Sequence, residues 1–348
     1  MVYIRADANA YIGSGHIMRC MAIAEELVKA GEAVTFLLAD DVSSEKVKQM
    51  GCPFLVLHTD WSDLNKDMDQ LIQFIIGNKV EKLLVDSYYI SKETLHELSQ
   101  YTKVMYIDDY SNDVIDIQSI VHYGLIYEQE FYKEYDRLEV VKEKKNHTRL
   151  LLGSQYIPLR KEFQDIVFDD RLRKNNVLIM SGGTDTYNVM GTLLYHIIND
   201  KRYDSYHFHI IIGLYNEFKN DIIRLAENRD NITTYFNVGN MAELMKACAV
   251  SISAGGSTLY ELFSARTPTI CYTFADNQNF GAEMLGSMGY VCYIGDIRGN
   301  VASSAKRILD RMEELYWDEA GKREMVEKMI HAVDGKGAYR IARELINL

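Results

Sequence analysis

In the stretch VYIRADANAYIGSGHIMRCMAIAEEL, His16 directly follows the turn Gly13-Ser14-Gly15. Five or six residues before the turn read as a strand, and Ile17, Met18, Cys20, Met21, Ile23, Ala24 and Leu27 after it recur at roughly helical spacing. Glycines let a backbone come close to a ligand. A helix N-terminus adds unpaired N–H groups and about half a positive charge, so the turn predicts an anion pocket suited to phosphate. For a histidine at that point, the helix dipole favours the neutral imidazole and a bound diphosphate favours the protonated one. Both forms are within reach near neutral pH, where a general base works best. His16 is thus placed to act on a sugar or a water beside the phosphate. A lone histidine is equally at home as a structural residue.

Two further glycine turns end strands: Gly182-Gly183-Thr184 and Gly255-Gly256-Ser257. None of the three is a phosphate loop of the Gly-Lys-Ser/Thr type, and none completes the dinucleotide fingerprint with its partner acid. In SAGGSTLYEL, Ser257 and Thr258 suit a helix N-cap. Glu261, one turn on, can accept two hydrogen bonds from the vicinal hydroxyls of a ribose, or it is a surface glutamate. Asn277, Gln278 and Asn279 follow the next strand, where amides can bind sugar hydroxyls or satisfy loop backbone. In VDSYYIS and IDDYS, Asp86, Tyr88, Asp108 and Asp109 also fall at strand ends. They could orient His16 or hold hydroxyls; capping or solvation of a sheet edge is the plainer role.

These residues must be positioned by an alternation of apolar strands and helices. Strands are expected at 2–7, 33–40, 53–58, 81–89, 103–111 and 119–124, with helices at 16–30, 64–78 and 91–101. The charged run 128–149 breaks the pattern. It restarts with strands at 175–180, 206–213, 231–239, 248–256, 268–274 and 290–295, and a long helix is expected over 301–331. Such alternation predicts an α/β chain of two doubly wound parallel halves, with ligands beyond the strands' carboxyl ends and in a cleft between the halves. The length of 348 residues suits two domains at about 150 residues each. The net charge of −12 argues against a broad nucleic-acid surface. Five cysteines form no CxxC pair, so no metal or disulfide framework is expected. With neither a signal peptide nor a run of about 18 apolar residues in view, a cytoplasmic protein without membrane insertion is expected.

Taken in order, RADANAYIGSGHIMRC, VDSYYIS, IDDYS, MSGGTD, SAGGSTLYE, NQN and DGKGAYRIA resemble the PseG-type UDP-sugar hydrolases, specifically the UDP-2,4-diacetamido-2,4,6-trideoxy-β-L-altropyranose hydrolases of pseudaminic acid biosynthesis, which are related to MurG-like GT-B glycosyltransferases. The resemblance covers nearly the whole chain, and G-x-G-H-x-x-R, ending at Arg19, is its most specific part. It implies a GT-B fold with a catalytic Rossmann-like domain at 1–152, a UDP-binding one at 153–334, and a helix in 335–348 that packs back on the first. It implies His16 as catalytic base, with Asp86 and Tyr88 beside it. It implies substrate or UDP contacts at Gly13, Gly15, Arg19, Gly183, Thr184, Gly256, Ser257, Glu261, Asn277 and Gln278, and a uracil contact through the backbone at Met241. One departure is AGGS, where the family often has a serine pair. The implied reaction is hydrolysis to UDP and free sugar by a monomer without metal or cofactor. The alternatives are a GT-B glycosyltransferase, a UDP-sugar 2-epimerase, and a non-catalytic nucleotide-sugar binder.

Overall fold

The computed structural model describes residues 1–49, 51–108, 114–125, 133, 147–167, 173, 175–236 and 238–348. Asp109 and most of the charged run 128–149 lie outside the described residues. The chain divides into two compact units, one of residues 1–161 with 335–348 and one of residues 162–334. Residues 153–161 therefore cluster with the first unit, although the sequence reading grouped them with the second half.

The first unit is built on a seven-stranded sheet. Its strands are β1 (Val2–Ala6), β2 (Val34–Leu38), β3 (Phe54–Val56), β4 (Lys82–Asp86), β5 (Lys103–Ile107), β6 (Ser119–His122) and β7 (Arg149–Leu152). They lie in the order β3-β2-β1-β4-β5-β6-β7, all parallel. The seventh strand was not expected. It is a four-residue edge strand, too short for a period to show. Among the described residues, four helices cross between strands: α1 (Gly15–Lys29), α2 (Ser44–Gln49), α3 (Met68–Gly77) and α4 (Lys92–Leu98). The core includes Leu83, Val85, Val104 and Ile120 from the strands and Ile72, Ile75, Leu95 and Leu98 from α3 and α4. Strands buried on both faces read as continuous apolar runs, the expected mark of a covered parallel sheet.

The second unit carries β8 (Asn176–Met180), β9 (His207–Ile212), β10 (Ile232–Phe236), β11 (Val250–Ala254), β12 (Thr269–Thr273) and β13 (Cys292–Asp296), in the order β10-β9-β8-β11-β12-β13. Its helices are α5 (Val189–Asn199), α6 (Lys219–Ala226), α7 (Met241–Lys246), α8 (Thr258–Ser264), α9 (Asp276–Ser287), α10 (Val301–Trp317) and α11 (Glu319–Ala332). The single helix expected over 301–331 is two. Asp318 leaves helical geometry at φ −86° and ψ 84°, and its carboxylate accepts from the Gly321 amide, so it closes α10 and caps α11.

The last helix, α12 (Gly337–Asn347), belongs to the first unit and packs on α1. Lys82 donates to the Ile346 carbonyl at 2.6 Å, and Arg340 donates to the Gln155 carbonyl at 2.8 Å.

Each sheet reverses its winding once. In the first unit this happens between β1 and β4, where Ala6 lies beside Asp86. In the second it happens between β8 and β11, where Ile179 lies beside Ile252. Loops leaving neighbouring strands at such a reversal diverge, which opens a crevice beyond their carboxyl ends.

Candidate active site

The crevice of the first unit holds His16. The turn ahead of it is shaped by Asn9, whose Oδ1 accepts from the Tyr11 and Ile12 amides at 2.8 and 3.1 Å. Asn9 and Gly13 also exchange backbone hydrogen bonds. Gly13 sits at φ +70°, where a side chain is strained, and this is the physical reason for glycine there. Gly15 starts α1, and Ser14 at the N-cap makes no side-chain cap hydrogen bond. His16 is the second residue of the helix and is buried, 3% exposed.

Asp86 ends β4 and reaches His16. The His16 Nδ1 lies 2.9 Å from Asp86 Oδ1 and 3.3 Å from the Asp86 carbonyl oxygen. With Nδ1–H donating to the carboxylate, the lone pair is left on Nε2. That nitrogen is buried and, among the described residues, has no hydrogen-bond partner. Tyr88 packs edge-on against the imidazole, with ring centroids 4.3 Å apart.

The carboxylate is itself fixed by Arg19, which donates from Nε to Oδ2 at 2.6 Å and from Nη2 to Oδ1 at 2.5 Å. Cys20 Sγ donates to Oδ2 at 3.3 Å. Burial pushes the Asp86 carboxyl up, but the Arg19 guanidinium and then His16 outweigh it and hold it well below the usual carboxylate range. Burial first, and the Asp86 charge second, push the Cys20 thiol well up, so it stays protonated.

Asp7, Ile12, His16, Trp61, Asp86, Ser87, Tyr88 and Tyr89 line a shallow recess. Asp7 is spent on structure: it pairs with Arg5 and accepts from the Ala39 amide at 2.7 Å. Sequence reasoning brought His16, Asp86 and Tyr88 to one place. It cast Arg19 as a substrate contact, whereas the side chain is 7% exposed and holds Asp86 and the Tyr123 hydroxyl. Ile12, Trp61, Ser87 and Tyr89 were not singled out; Trp61 is one of only two tryptophans in the chain, the one signal that marked it. The buried Asp108 follows β5, and its carbonyl accepts from His122.

In the second unit the turns after β8 and β11 flank the reversal. The Gly183 carbonyl accepts from the Tyr215 amide at 2.9 Å. A side chain on Gly213 would come within 2.4 Å of the Gly182 and Gly183 carbonyl oxygens, so Gly213 lets this turn fold in. Thr184 accepts from the Thr186 hydroxyl at 3.3 Å. Across the reversal a Cβ on Gly255 would meet Thr273 and Ala282 at 2.8 and 3.1 Å, whereas one on Gly256 would meet open space. Gly255 therefore serves packing, and Gly256 leaves a surface that a ligand can approach. Ser257 takes the N-cap of α8 without a side-chain cap bond, and Glu261 lies in that helix's first turn.

Asn277 and Gln278, expected on a loop, are helical, as is Met241. Met241 opens α7, and its amide donates to Glu162 Oε1 at 3.0 Å. Asn277, Gln278 and Asn279 form the first turn of α9. Asn277 is exposed, Gln278 accepts from the Phe274 amide at 3.1 Å, and Asn279 donates to Asp296 at 3.2 Å.

Two parallel α/β units of this order, with a helix that returns to the first, give the chain a GT-B fold. Acinetobacter baumannii MurG matches it with a TM-score of 0.62 over 100% of this chain and 99% of its own, at 12% identity. Arabidopsis thaliana UGT89C1, solved with quercetin, matches with a TM-score of 0.66 over 99% of this chain and 98% of its own, also at 12% identity. Likeness at those identities is a likeness of fold.

Sequence relatives are more particular. The UDP-2,4-diacetamido-2,4,6-trideoxy-β-L-altropyranose hydrolase of Campylobacter jejuni is 25% identical over 297 residues, 83% of this chain and 97% of that protein. The spore coat polysaccharide biosynthesis protein SpsG of Bacillus subtilis is 22% identical over 100% of this chain and 98% of its own. An uncharacterised protein of Methanocaldococcus jannaschii is 25% identical over 77% of this chain, which spans about half, 54%, of that relative. No family model matches the chain. The resemblance to the PseG-type hydrolases is thus carried by most of the sequence. Among the described residues, no helix is long and apolar enough to cross a membrane.

Proposed function

We propose that this protein hydrolyses UDP-2,4-diacetamido-2,4,6-trideoxy-β-L-altropyranose to UDP and the free sugar. The observation that carries the reading is the buried His16, anchored through Nδ1 by Asp86 with Nε2 unpaired, in a ring that lines a recess. In this reading water attacks the anomeric carbon, Nε2 takes its proton, the bond from that carbon to the diphosphate oxygen breaks, and UDP departs. The second unit binds UDP: the turns at Gly183-Thr184 and Gly256-Ser257 meet the diphosphate and Glu261 the ribose, while Met241 takes the uracil and Asn277 and Gln278 the sugar side. The relative named for this activity supports the substrate assignment.

A general base contributes about 10²- to 10⁴-fold, so His16→Ala is expected to lower the rate of UDP release at least that far while leaving UDP affinity within about twofold. UDP release would be followed without acceptor and with EDTA present, beside UDP-N-acetylglucosamine as control. Release that requires an acceptor would make the protein a transferase. A product inverted at C2 would make it an epimerase. UDP binding without any turnover would make it a binder.

A further inference from the structure

Three aromatic rings form one connected wall at the recess that His16 lines. Trp61 stacks on Tyr11 with centroids 5.7 Å apart and planes 19° apart, and meets Tyr89 edge-on at 5.6 Å. Trp61 and Tyr89 line the recess beside Ile12 and Tyr88. Tyr11 is 86% exposed and Tyr89 38%, so much of this apolar area faces water, at a free-energy cost that a covering ligand would remove.

The wall is fastened in place. The Leu64 amide donates to the Tyr89 carbonyl at 2.9 Å. Asn65 Oδ1 accepts from the Ser91 amide at 2.8 Å and the Thr94 hydroxyl at 2.7 Å. These bonds tie the segment carrying Trp61 to the start of α4, while Asn9 holds Tyr11 from the other side. Water activation by His16 requires none of the three rings.

We infer that Trp61, with Tyr11 and Tyr89, is a specificity wall for the sugar, taking the C–H face and methyl substituents of a deoxy, acetamido hexose. This rests on the reading of the recess as the sugar site. The face of an aromatic ring is electron-rich, so it attracts the slightly positive hydrogens of sugar C–H bonds. A methyl group at C6 or on an acetamido group gains from leaving water, whereas a hydroxyl set against a ring face loses hydrogen bonds to water without replacement. The wall therefore favours a 6-deoxy sugar over its 6-hydroxy counterpart, by the roughly 10- to 200-fold that one such group is worth in an apolar pocket.

The test has two arms. In the first, UDP release is measured for Trp61→Ala and Trp61→Phe with UDP-2,4-diacetamido-2,4,6-trideoxy-β-L-altropyranose and with UDP-N-acetylglucosamine. Trp61→Ala is expected to lower kcat/KM for the first substrate at least tenfold, mainly through KM, and to narrow the preference over the second. Trp61→Phe should keep most of both. In the second arm Trp317, 70% exposed on α10, is changed to phenylalanine so that Trp61 alone emits. The free 2,4-diacetamido-2,4,6-trideoxy sugar should then change the emission, and N-acetylglucosamine should not. A Trp61→Ala enzyme with kcat/KM within twofold of wild type, or emission indifferent to the deoxy sugar, overturns the inference. Absence of UDP release from wild-type protein overturns the hydrolase reading instead, and the emission arm still decides for or against the wall.

Discussion

Asp86 serves three side chains at once, Arg19, Cys20 and His16, and all four are buried. Replacing it by asparagine keeps the shape and removes the charge. Breaking a buried ion pair costs about 3–5 kcal/mol, so Asp86→Asn should lose stability of that order in urea unfolding. An amide can also donate to Nδ1, which would turn the ring's proton to Nε2 and remove the base that the proposed reaction needs. Turnover per folded molecule is then expected to fall at least about 10²-fold; unchanged turnover would show that Asp86 only holds the fold. His16, Asp86 and Tyr88 were legible from sequence because each sits within a few residues of a strand end or glycine turn, a local signal. The choice of Asp86 over Asp108 as the partner of His16 came from the family resemblance and not from the residues themselves, because it depends on β4 rather than β5 lying beside β1. Trp61 and Tyr11 were missed for the same kind of reason: 50 positions separate them, and only the folded chain stacks them.

Helices and strands were easier to read than the places where they begin, end or break. The apolar runs located twelve of the strands, since strands buried on both faces announce themselves. β7 escaped because an edge of four residues shows no period. The break at Asp318 escaped because α10 and α11 are both amphipathic and only one non-helical residue divides them. Gly337 marks the most demanding junction. A Cβ there would lie 2.1 Å from the Ile157 carbonyl oxygen, a backbone atom that cannot swing aside. Gly337→Ala is therefore expected to cost about 1–3 kcal/mol, as overpacking does, and to lower the melting temperature of the first unit. An alanine variant as stable as wild type would show that α12 can shift without penalty.

Taken whole, the molecule has buried carboxylates in both units, and Asp86 and Asp185 among them respond to pH in opposite directions. Burial pushes the Asp185 carboxyl up to about 6, although the Val189 and Met190 amides both donate to it. Asp185 therefore holds its proton more tightly folded than unfolded, and the second unit should lose stability as pH rises from about 4 to about 6. Asp86 is held low, so its contribution to the first unit is present above the usual carboxylate range and is lost as pH falls below about 4. Urea unfolding of the second unit, followed by hydrogen exchange at pH 4.5 and 7, should show a lower midpoint at pH 7 for wild type and little change for Asp185→Asn. An equal slope in both would exclude Asp185 as its source. The division of the chain also sets an order in time. The first unit is made of two segments with the whole second unit between them. On the ribosome, residues 162–334 are complete before α12 emerges, and domains fold as units during synthesis. Until then α1, which carries His16 and Arg19, lacks the helix that packs on it. A nascent chain can thus finish its second unit while the helix that carries the histidine still lacks this packing partner.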